Sequence, residues 1–230
     1  MEWHILGTVF KRTAEGGSMF TTVLSSDAQR ALALLGKSGL VADAYLAGGS
    51  ALALHYGHRI SVDFDFFSPN TFDPITLGQS LAALGDFTQE VAKGTSLIGT
   101  FRGIKMNYFQ YDYPLVAPST RQFNVEIAGP KDIAAMKLVA ITDRSTKKDF
   151  IDLFTLTHKD MTLDTMFTLY EQKYHVFESN KFTLIKSMTY FEEADADDMP
   201  RMLTPLSWEE VKRFFIAESM RLGKKYLKQR

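Results

Sequence analysis

The segment from residue 46 to residue 66 carries two sets of residues whose chemistry fits together. Gly48, Gly49 and Ser50 follow a short apolar run at 44–47, and paired glycines allow a tight turn and the close approach of a ligand. A helix that begins at about Ser50 would present free backbone N–H groups and its positive dipole end to an anion. The serine hydroxyl would add a donor, so the segment predicts a phosphate site.

Asp63 and Asp65 lie on the strand predicted next along the chain. Residues i and i+2 of a strand share one face, so both carboxylates are expected on one side and Val62, Phe64 and Phe66 on the core side. Adjacent carboxylates repel each other unless a cation lies between them, and magnesium prefers such oxygen ligands. A phosphate site beside a magnesium pair is the layout required for phosphoryl or nucleotidyl transfer.

The segment 46–67, LAGGSALALHYGHRISVDFDFF, resembles the signature of the AbiEii-type nucleotidyltransferases of the polymerase-β-like superfamily. Many members are toxins of type IV toxin–antitoxin or phage-abortive systems, and the resemblance extends over more than half of the chain. It implies Mg²⁺ held by Asp63 and Asp65, and a nucleoside triphosphate whose phosphates lie on Gly49 and Ser50.

A second block begins at Lys137 and contains Arg144, Asp149 and Asp152. Lys137 and Arg144 share a helix face, as do the two aspartates, and a fixed lysine neutralises charge that develops on a triphosphate. The block resembles the family's second signature, which implies that Lys137 contacts phosphates and that the segment 149–152 shapes the base-side pocket. The alternative is a solvated helix face on which Asp149 caps the next helix or pairs with Arg144.

The predicted site therefore has three groups of residues. The catalytic residues are Asp63, Asp65 and Lys137, and the metal ligands are Asp63 and Asp65. The predicted nucleotide-binding residues are Gly48, Gly49, Ser50, Arg59, Arg144, Asp149 and Asp152.

The chain departs from the superfamily pattern where many members supply a third carboxylate. Asn107 stands where that acid is expected, and an amide ligates magnesium but accepts no proton. Glu126 is a possible substitute, or two aspartates suffice. Arg59 is expected to pair with a carboxylate near the turn or to reach a phosphate, and His55 and His58 are too isolated for a metal site and are expected to be structural.

Composition narrows the functional classes. The 230 residues include 26 basic and 27 acidic ones, for a net charge of −1, and no cysteine. These values exclude a disulfide scaffold, a cysteine zinc site, a thiol nucleophile and a global cationic field. No secretory signal or membrane-spanning run is recognisable, which predicts a cytoplasmic protein. Residues 211–230 carry seven basic residues and one acidic residue. This charge indicates either an RNA-binding surface or, as the favoured interpretation, a solvated helix end.

The predicted fold is α+β, a nucleotidyltransferase-like mixed β-sheet with flanking helices, followed by a helical C-terminal region. The predicted domains are an N-terminal arm at 1–25, the α/β core at 26–128 and the helical region at 129–230. A capping box of Ser26 and Gln29 is expected to open the first helix and Gly36 to close it; the acidic run 192–198 is expected to form a loop. Predicted helices cover 26–36, 51–56, 74–85, 131–143, 147–157, 163–172, 180–190 and 207–227, and predicted strands cover 44–47, 60–67, 87–92, 95–101, 104–109 and 123–127.

Together these features predict a magnesium-dependent nucleotidyltransferase that moves a nucleoside monophosphate to a hydroxyl of an RNA end or a protein. The family resemblance adds a toxin role in a type IV toxin–antitoxin or abortive-infection system, with an antitoxin protein as partner. Two alternatives stay open. One is a weak or inactive nucleotide-binding module that acts through a protein partner, which Asn107 motivates, and the other is an antibiotic-type, small-molecule nucleotidyltransferase.

Overall fold

The computed structural model describes residues 3–5, 8–10, 19–175 and 179–227. Within the predicted N-terminal arm it contains an antiparallel pair of strands, β1 (Trp3–Ile5) and β2 (Thr8–Phe10), and a single 3₁₀ turn at Thr21–Val23. The rest of that arm before Met19 lies outside the described residues.

The core is a seven-stranded mixed sheet in the order β5-β6-β7-β4-β3-β9-β8. Its parallel pairs are β4 with β7 and β3 with β9, and the other neighbours are antiparallel. The predicted fold class is therefore confirmed. The strands are β3 (Tyr45–Ala47), β4 (Asp63–Ser68), β5 (Phe87–Lys93), β6 (Ser96–Phe101), β7 (Ile104–Gln110), β8 (Thr120–Gln122) and β9 (Val125–Ile127).

Helices flank the sheet and then continue to the C-terminal end of the described chain. Helix α4 contacts α2, α5, α6 and α7, and α9 contacts α5 and α7, so the second half of the chain is built mainly of helices packed on helices. The helices are α1 (Ser26–Ser38), α2 (Gly48–Tyr56), α3 (Pro74–Leu84), α4 (Pro130–Asp143), α5 (Lys147–Lys159), α6 (Leu163–Tyr174), α7 (Ser179–Ser187), α8 (Glu192–Ala196) and α9 (Trp208–Leu227).

Several local expectations were wrong, each for a physical reason. Ser25, not Ser26, caps α1 by accepting a hydrogen bond from the backbone N–H of Ala28. Gly36 does not end this helix. Gly39 ends it in a left-handed conformation (φ +77), and the missing Cβ of Gly36 lets the helix lie against the carbonyl of Phe123. Residues 192–196 of the acidic run form the short helix α8, and 197–198 follow it without regular structure. Val62 precedes β4 and is 61% exposed, so it does not join the core face.

The chain between α2 and β4 is held from two distant parts of the molecule. The backbone N–H of Ser61 donates to the carbonyl of Val23, and that of Ile60 donates to Arg201. Arg59 forms a β-bridge with Met202. This connection fixes the loop that leads into Asp63.

The domain boundary predicted at residue 128 stays a prediction. None of the described helices is long and apolar enough to cross a membrane.

Candidate active site

A sharp turn joins β3 to α2. Gly48 adopts φ +66, a left-handed conformation that glycine reaches without strain. Helix α2 begins at Gly48, two residues before the predicted start at Ser50, and Ala47 gives it no side-chain cap. The first N–H groups of a helix lack partners within the helix, so this turn presents uncapped backbone donors beside β4.

Asp63 and Asp65 lie on one face of β4, as predicted, while Phe64 and Phe66 are fully buried on the other. A Cβ on Gly48 would lie 2.7 Å from Oδ2 of Asp65, so this carboxylate directly adjoins the turn. The structure thus brings the two predicted halves of the site together.

Asn107 occupies the neighbouring position on β7 and pairs in register with Asp65. Its Nδ2 donates to Oδ1 of Asp65 over 2.7 Å. Within the described chain, no hydrogen bond or ion pair is found on the Asp63 side chain. The two half-buried carboxylates therefore keep free oxygen lone pairs on a face where a missing Cβ leaves room, a donor set that suits a hard divalent cation.

The hydroxyl of Ser50 is already engaged. It donates to the backbone carbonyl of Asp63 and lies 2.9 Å from Oγ of Ser61. Because a hydroxyl has one proton, Ser61 must be the donor in that second pair. Ser50 thus fastens the start of α2 to the start of β4, and its backbone N–H remains available to an anion.

Glu126 does not take the place of a third acid. Glu126 lies on β9 and pairs with Tyr45 of β3, and β3 separates β9 from β4. Its carboxylate accepts a hydrogen bond of 2.6 Å from Ser119 and lies 4.0 Å from Arg121. Among the described residues, no three acidic or histidine side chains converge as a metal site.

Asp152 is the centre of a buried cluster of charges. Oδ1 accepts from Nε2 of His58 and Nε of Arg59, both at 2.8 Å. Oδ2 accepts from Nη2 of Arg59 at 2.9 Å and contacts Nζ of Lys137 at 2.6 Å. A carboxylate has about four lone-pair sites, and here each one faces a donor.

Asp149 is saturated in the same way. Its Oδ1 accepts from Nζ of Lys137 at 2.7 Å and Nη2 of Arg144 at 3.1 Å. Its Oδ2 accepts from Nε of Arg144 at 2.9 Å and the hydroxyl of Thr146 at 2.6 Å. Asp149 and Asp152 therefore anchor three cations, which are Arg59, Lys137 and Arg144. Their role in nucleotide binding stays a prediction, and any such role would be exerted through these cations.

Lys137 lies between the two saturated aspartates and is only 4% exposed. Burial alone lowers the pKa of its ammonium, but the charges of Asp149 and Asp152 outweigh that effect and raise the pKa. Burial likewise raises the pKa of Asp152, whereas Arg59 and Lys137 hold it well below its usual value. The cluster therefore carries fixed charges, and Lys137 is protonated at neutral pH.

Arg59 connects the buried cluster to the turn. Its guanidinium binds both oxygens of Asp152, and a Cβ on Gly49 would lie 2.2 Å from its Nη2. Gly49 is therefore glycine because an arginine occupies the adjacent space. The positive charge lies directly behind the uncapped start of α2, where it adds to the attraction for an anion.

Arg144 is the exposed cation of the cluster. Its side chain is 62% exposed, and it lies close enough to Asp65 for that carboxylate to contribute to its raised pKa, after the larger effect of the hydrogen bond to Asp149. Arg144 also borders a cleft of about 500 Å³ between the end of α4 and α7, a volume in the range of small-molecule sites. Polar groups of the cleft include Thr142, Asp143, Ser145, Thr183, Lys186, Tyr190 and Glu193.

The sequence analysis missed several partners of the site residues. His58 and Asp152 are distant along the chain, whereas Thr146 lies three residues from Asp149. Thr146 and Ser61 carry no recognisable motif, and His58 was expected to be merely structural. Among the described residues, the hydrogen bond found on the His55 ring is the one that Nε2 donates to the carbonyl of Ala128 over 2.9 Å. A separate buried pair, Lys173 with Asp132 at 2.8 Å, had no sequence signal.

The basic C-terminal helix is partly neutralised. Asp164 contacts Arg221 at 2.5 Å and Lys225 at 2.6 Å. Lys212 contacts Asp195 at 3.1 Å and Glu209 at 2.9 Å. These ion pairs favour the solvated-helix interpretation over an RNA-binding surface, and residues 228–230 of the predicted tail lie outside the described chain.

Comparison with protein families gives a match to the model described as "Nucleotidyl transferase AbiEii toxin, Type IV TA system", over residues 30–108 and 99–223. A curated relative, the uncharacterized protein aq_aa25 of Aquifex aeolicus (strain VF5), is 37% identical over 197 residues, which covers 84% of this chain and 94% of that protein.

Solved structures share the fold. MenT4, the nucleotidyltransferase toxin Rv2826c from Mycobacterium tuberculosis H37Rv, superposes with a TM-score of 0.54 at 15% identity, covering 84% of this chain and 85% of that one. JHP933 from Helicobacter pylori has a TM-score of 0.54 at 20% identity, covering 90% and 96%. At these identities the likeness concerns the fold alone.

Proposed function

Because the chain belongs to the AbiEii family of nucleotidyltransferase toxins, we propose that it transfers a nucleoside monophosphate from a nucleoside triphosphate to a hydroxyl acceptor with the help of magnesium. The observation that carries the proposal is the position of Asp63 and Asp65 on one strand face, with Asp65 against the glycine turn at Gly48. Carboxylate oxygens and uncapped helix N–H groups are the complementary ligands of a metal–triphosphate complex.

Asp63 and Asp65 are the residues that hold Mg²⁺. The bound ion supplies positive charge to the phosphate oxygens as the transfer proceeds. Asn107 fixes the orientation of Asp65 through its amide donor. Two carboxylates would be a sufficient protein ligand set, because magnesium is usually bound by one or two carboxylates.

The backbone N–H groups of Gly49 and Ser50 bind the β and γ phosphates. Lys137 and Arg59 supply fixed positive charge from behind the turn, and Arg144 supplies it from the solvent side. Fixed charges in a partly dehydrated site stabilise charge that develops during transfer. The acceptor oxygen bonds to the α phosphorus while the bond to the β-phosphate oxygen breaks. Pyrophosphate leaves, and the hydroxyl proton goes to solvent.

The acceptor is an RNA end or a protein hydroxyl, and the physiological role is that of the toxin of a toxin–antitoxin or abortive-infection system, with an antitoxin protein as partner. The family description supports this role. Treating the labelled product with ribonuclease or with protease identifies the acceptor class. A labelled product that survives both treatments would favour the small-molecule alternative.

The test uses each labelled nucleoside triphosphate with a total cell extract. The double variant D63A/D65A is expected to abolish labelling and to keep the wild-type melting curve, because both side chains lie on the half-exposed face of β4. The matched control is Asp86→Ala, an exposed aspartate outside the site, which is expected to leave labelling unchanged. Equal labelling by the double variant and the wild type would contradict the proposal.

A further inference from the structure

His58 occupies a buried position next to the site and has a distinctive set of contacts. It follows Gly57, which ends α2, and its ring is 2% exposed. Nε2 lies 2.8 Å from Oδ1 of Asp152, whereas Nδ1 is buried without a hydrogen-bond partner among the described residues. A buried ring nitrogen without a partner is expected to be unprotonated, because an unpaired N–H group is costly to bury and a lone pair is tolerated.

The surroundings determine that state. Asp152 is an anion, because Arg59 and Lys137 keep its pKa low, so its oxygens accept hydrogen bonds and Nε2 must carry a proton. A second proton on Nδ1 would create an unpaired buried N–H next to two cations. Burial lowers the pKa of His58, which outweighs the attraction of Asp152. His58 is therefore a neutral imidazole with its proton on Nε2.

The hydrogen bond from His58 completes the set of donors around Asp152. Arg59 and Lys137 fill three of the approximately four lone-pair sites of that carboxylate. The imidazole fills the remaining one. With the carboxylate fixed in this way, Arg59 is held by both oxygens, and its Nη2 lies against Gly49 at the start of α2.

We propose that His58 is a positioning residue for nucleotide binding: as a neutral Nε2–H donor it fixes Asp152, and thereby Arg59 and Lys137, behind the phosphate-binding turn. This inference rests on the proposed function. It extends that function to a residue outside the predicted site, one that touches neither metal nor phosphate and acts through Asp152.

Two substitutions separate the donor from the volume of the ring. The amide nitrogen of His58→Gln can take the place of Nε2, whereas His58→Leu removes the donor. A hydrogen bond to a charged group contributes about 1.5–3 kcal/mol, and about 1.4 kcal/mol corresponds to a tenfold change in affinity. We therefore expect the leucine variant to raise Kd and KM for magnesium nucleoside triphosphate about 10-fold to 100-fold, and the glutamine variant to stay close to wild type.

The matched control is His55→Leu. It removes a half-buried histidine whose one hydrogen bond among the described residues goes to the carbonyl of Ala128. It is expected to leave Kd unchanged. Calorimetric binding and thermal melts of all four proteins distinguish positioning from loss of the fold. Equal Kd values for the glutamine and leucine variants, in folded proteins, would overturn the proposal.

Nitrogen NMR of the wild type gives a readout that needs no variant to be stable. The expected pattern for His58, assigned by its absence in His58→Gln, is a protonated Nε2 and an unprotonated Nδ1 at neutral pH. An imidazolium or the opposite tautomer would refute the proposal. A wild type that binds no nucleoside triphosphate would contradict the proposed function as well. If the wild type binds normally, an imidazolium, the opposite tautomer or equal Kd values for the two variants would contradict the role of His58 alone.

Discussion

Two pairs of aspartates in this chain have opposite surroundings. Asp63 and Asp65 are half-buried, and among the described residues the one hydrogen-bond donor found to their carboxylates is the amide of Asn107. Asp149 and Asp152 are fully buried, and each faces four donor contacts. The number of donors, more than the residue type, thus decides whether an aspartate can bind a metal or instead anchors the cations that surround a site.

The sharpest way to break this comparison is to make the same substitution in both pairs. Asp152→Asn leaves Arg59 buried without its counter-charge, while Lys137 keeps Asp149; breaking such a buried pair costs about 3–5 kcal/mol. Asp63→Asn is expected to abolish transfer and to change the free energy of unfolding by about 0.5 kcal/mol or less. Denaturant unfolding of both variants measures the difference, and equal destabilisation would show that the two pairs do not differ in kind.

The link between the pairs is tested by Gly49→Ala. The new methyl group would lie 2.2 Å from Nη2 of Arg59, and this arginine is buried against Asp152. We expect a destabilisation of about 1–3 kcal/mol, as for other overpacked sites, together with weaker nucleotide binding. The control is Gly223→Ala on α9, whose Cβ meets nothing within 4 Å; it is expected to leave nucleotide binding unchanged. Wild-type stability and binding in Gly49→Ala would remove the proposed contact.

The hydrogen bond from Asn107 to Asp65 tests the comparison at the half-buried pair of aspartates. Asn107→Ala removes the donor that orients Asp65, and the loss of a residue that orients a metal ligand typically lowers activity about 10-fold to 100-fold. Transfer assays over a range of magnesium concentrations test this expectation. If Asn107→Asp were more active than the wild type, the site would lack a third acid, and the role of Asn107 as a donor would be wrong.

The smallest expected effect is the pH dependence of the free energy of unfolding that arises from His58, the imidazole bonded to Asp152. Its pKa is lowered in the folded state by burial, so the unfolded chain takes up a proton first as the pH falls. The free energy of unfolding should therefore decrease below about pH 6.5, the usual histidine pKa, by at most about 1.4 kcal/mol per pH unit. Subtracting the same titration of His58→Gln isolates this contribution, and identical curves would contradict a neutral buried His58.

Local patterns predicted that Asp63 and Asp65 share a strand face. They also offered a pair of Asp149 with Arg144, which the structure contains, but they did not predict the partners of Asp152. The alternation along β4 sets Asp63 and Asp65 on one face whatever surrounds the strand, and Gly48 follows from the strand-to-helix turn. The contact of Lys137 with Asp152 joins residues on different helices. Sequence spacing shows that each lies on a helix face but does not show which faces meet.

The fold was predictable to a similar extent and for similar reasons. Strongly patterned elements such as α3, β6 and α9 were predicted within a few residues, since caps, turns and periodicity are local signals. Strand β8 consists of Thr120, Arg121 and Gln122, which carry no apolar alternation and form a strand because they pair with β9. The exposure of Val62 was missed because the chain there pairs with residues near 201, a contact that no local pattern encodes.

The pairing of this loop with residues 201–203 has a consequence for the order in which the candidate site forms during synthesis. In the loop before Asp63, the backbone N–H of Ile60 donates to the carbonyl of Arg201, and the carbonyl of His58 accepts from the N–H of Leu203. The final shape of the loop therefore needs residues that leave the ribosome well over a hundred positions later. Contacts so distant along the chain form late in folding. A nascent or prematurely ended copy therefore lacks the contacts that shape this loop until residues 201–203 have emerged.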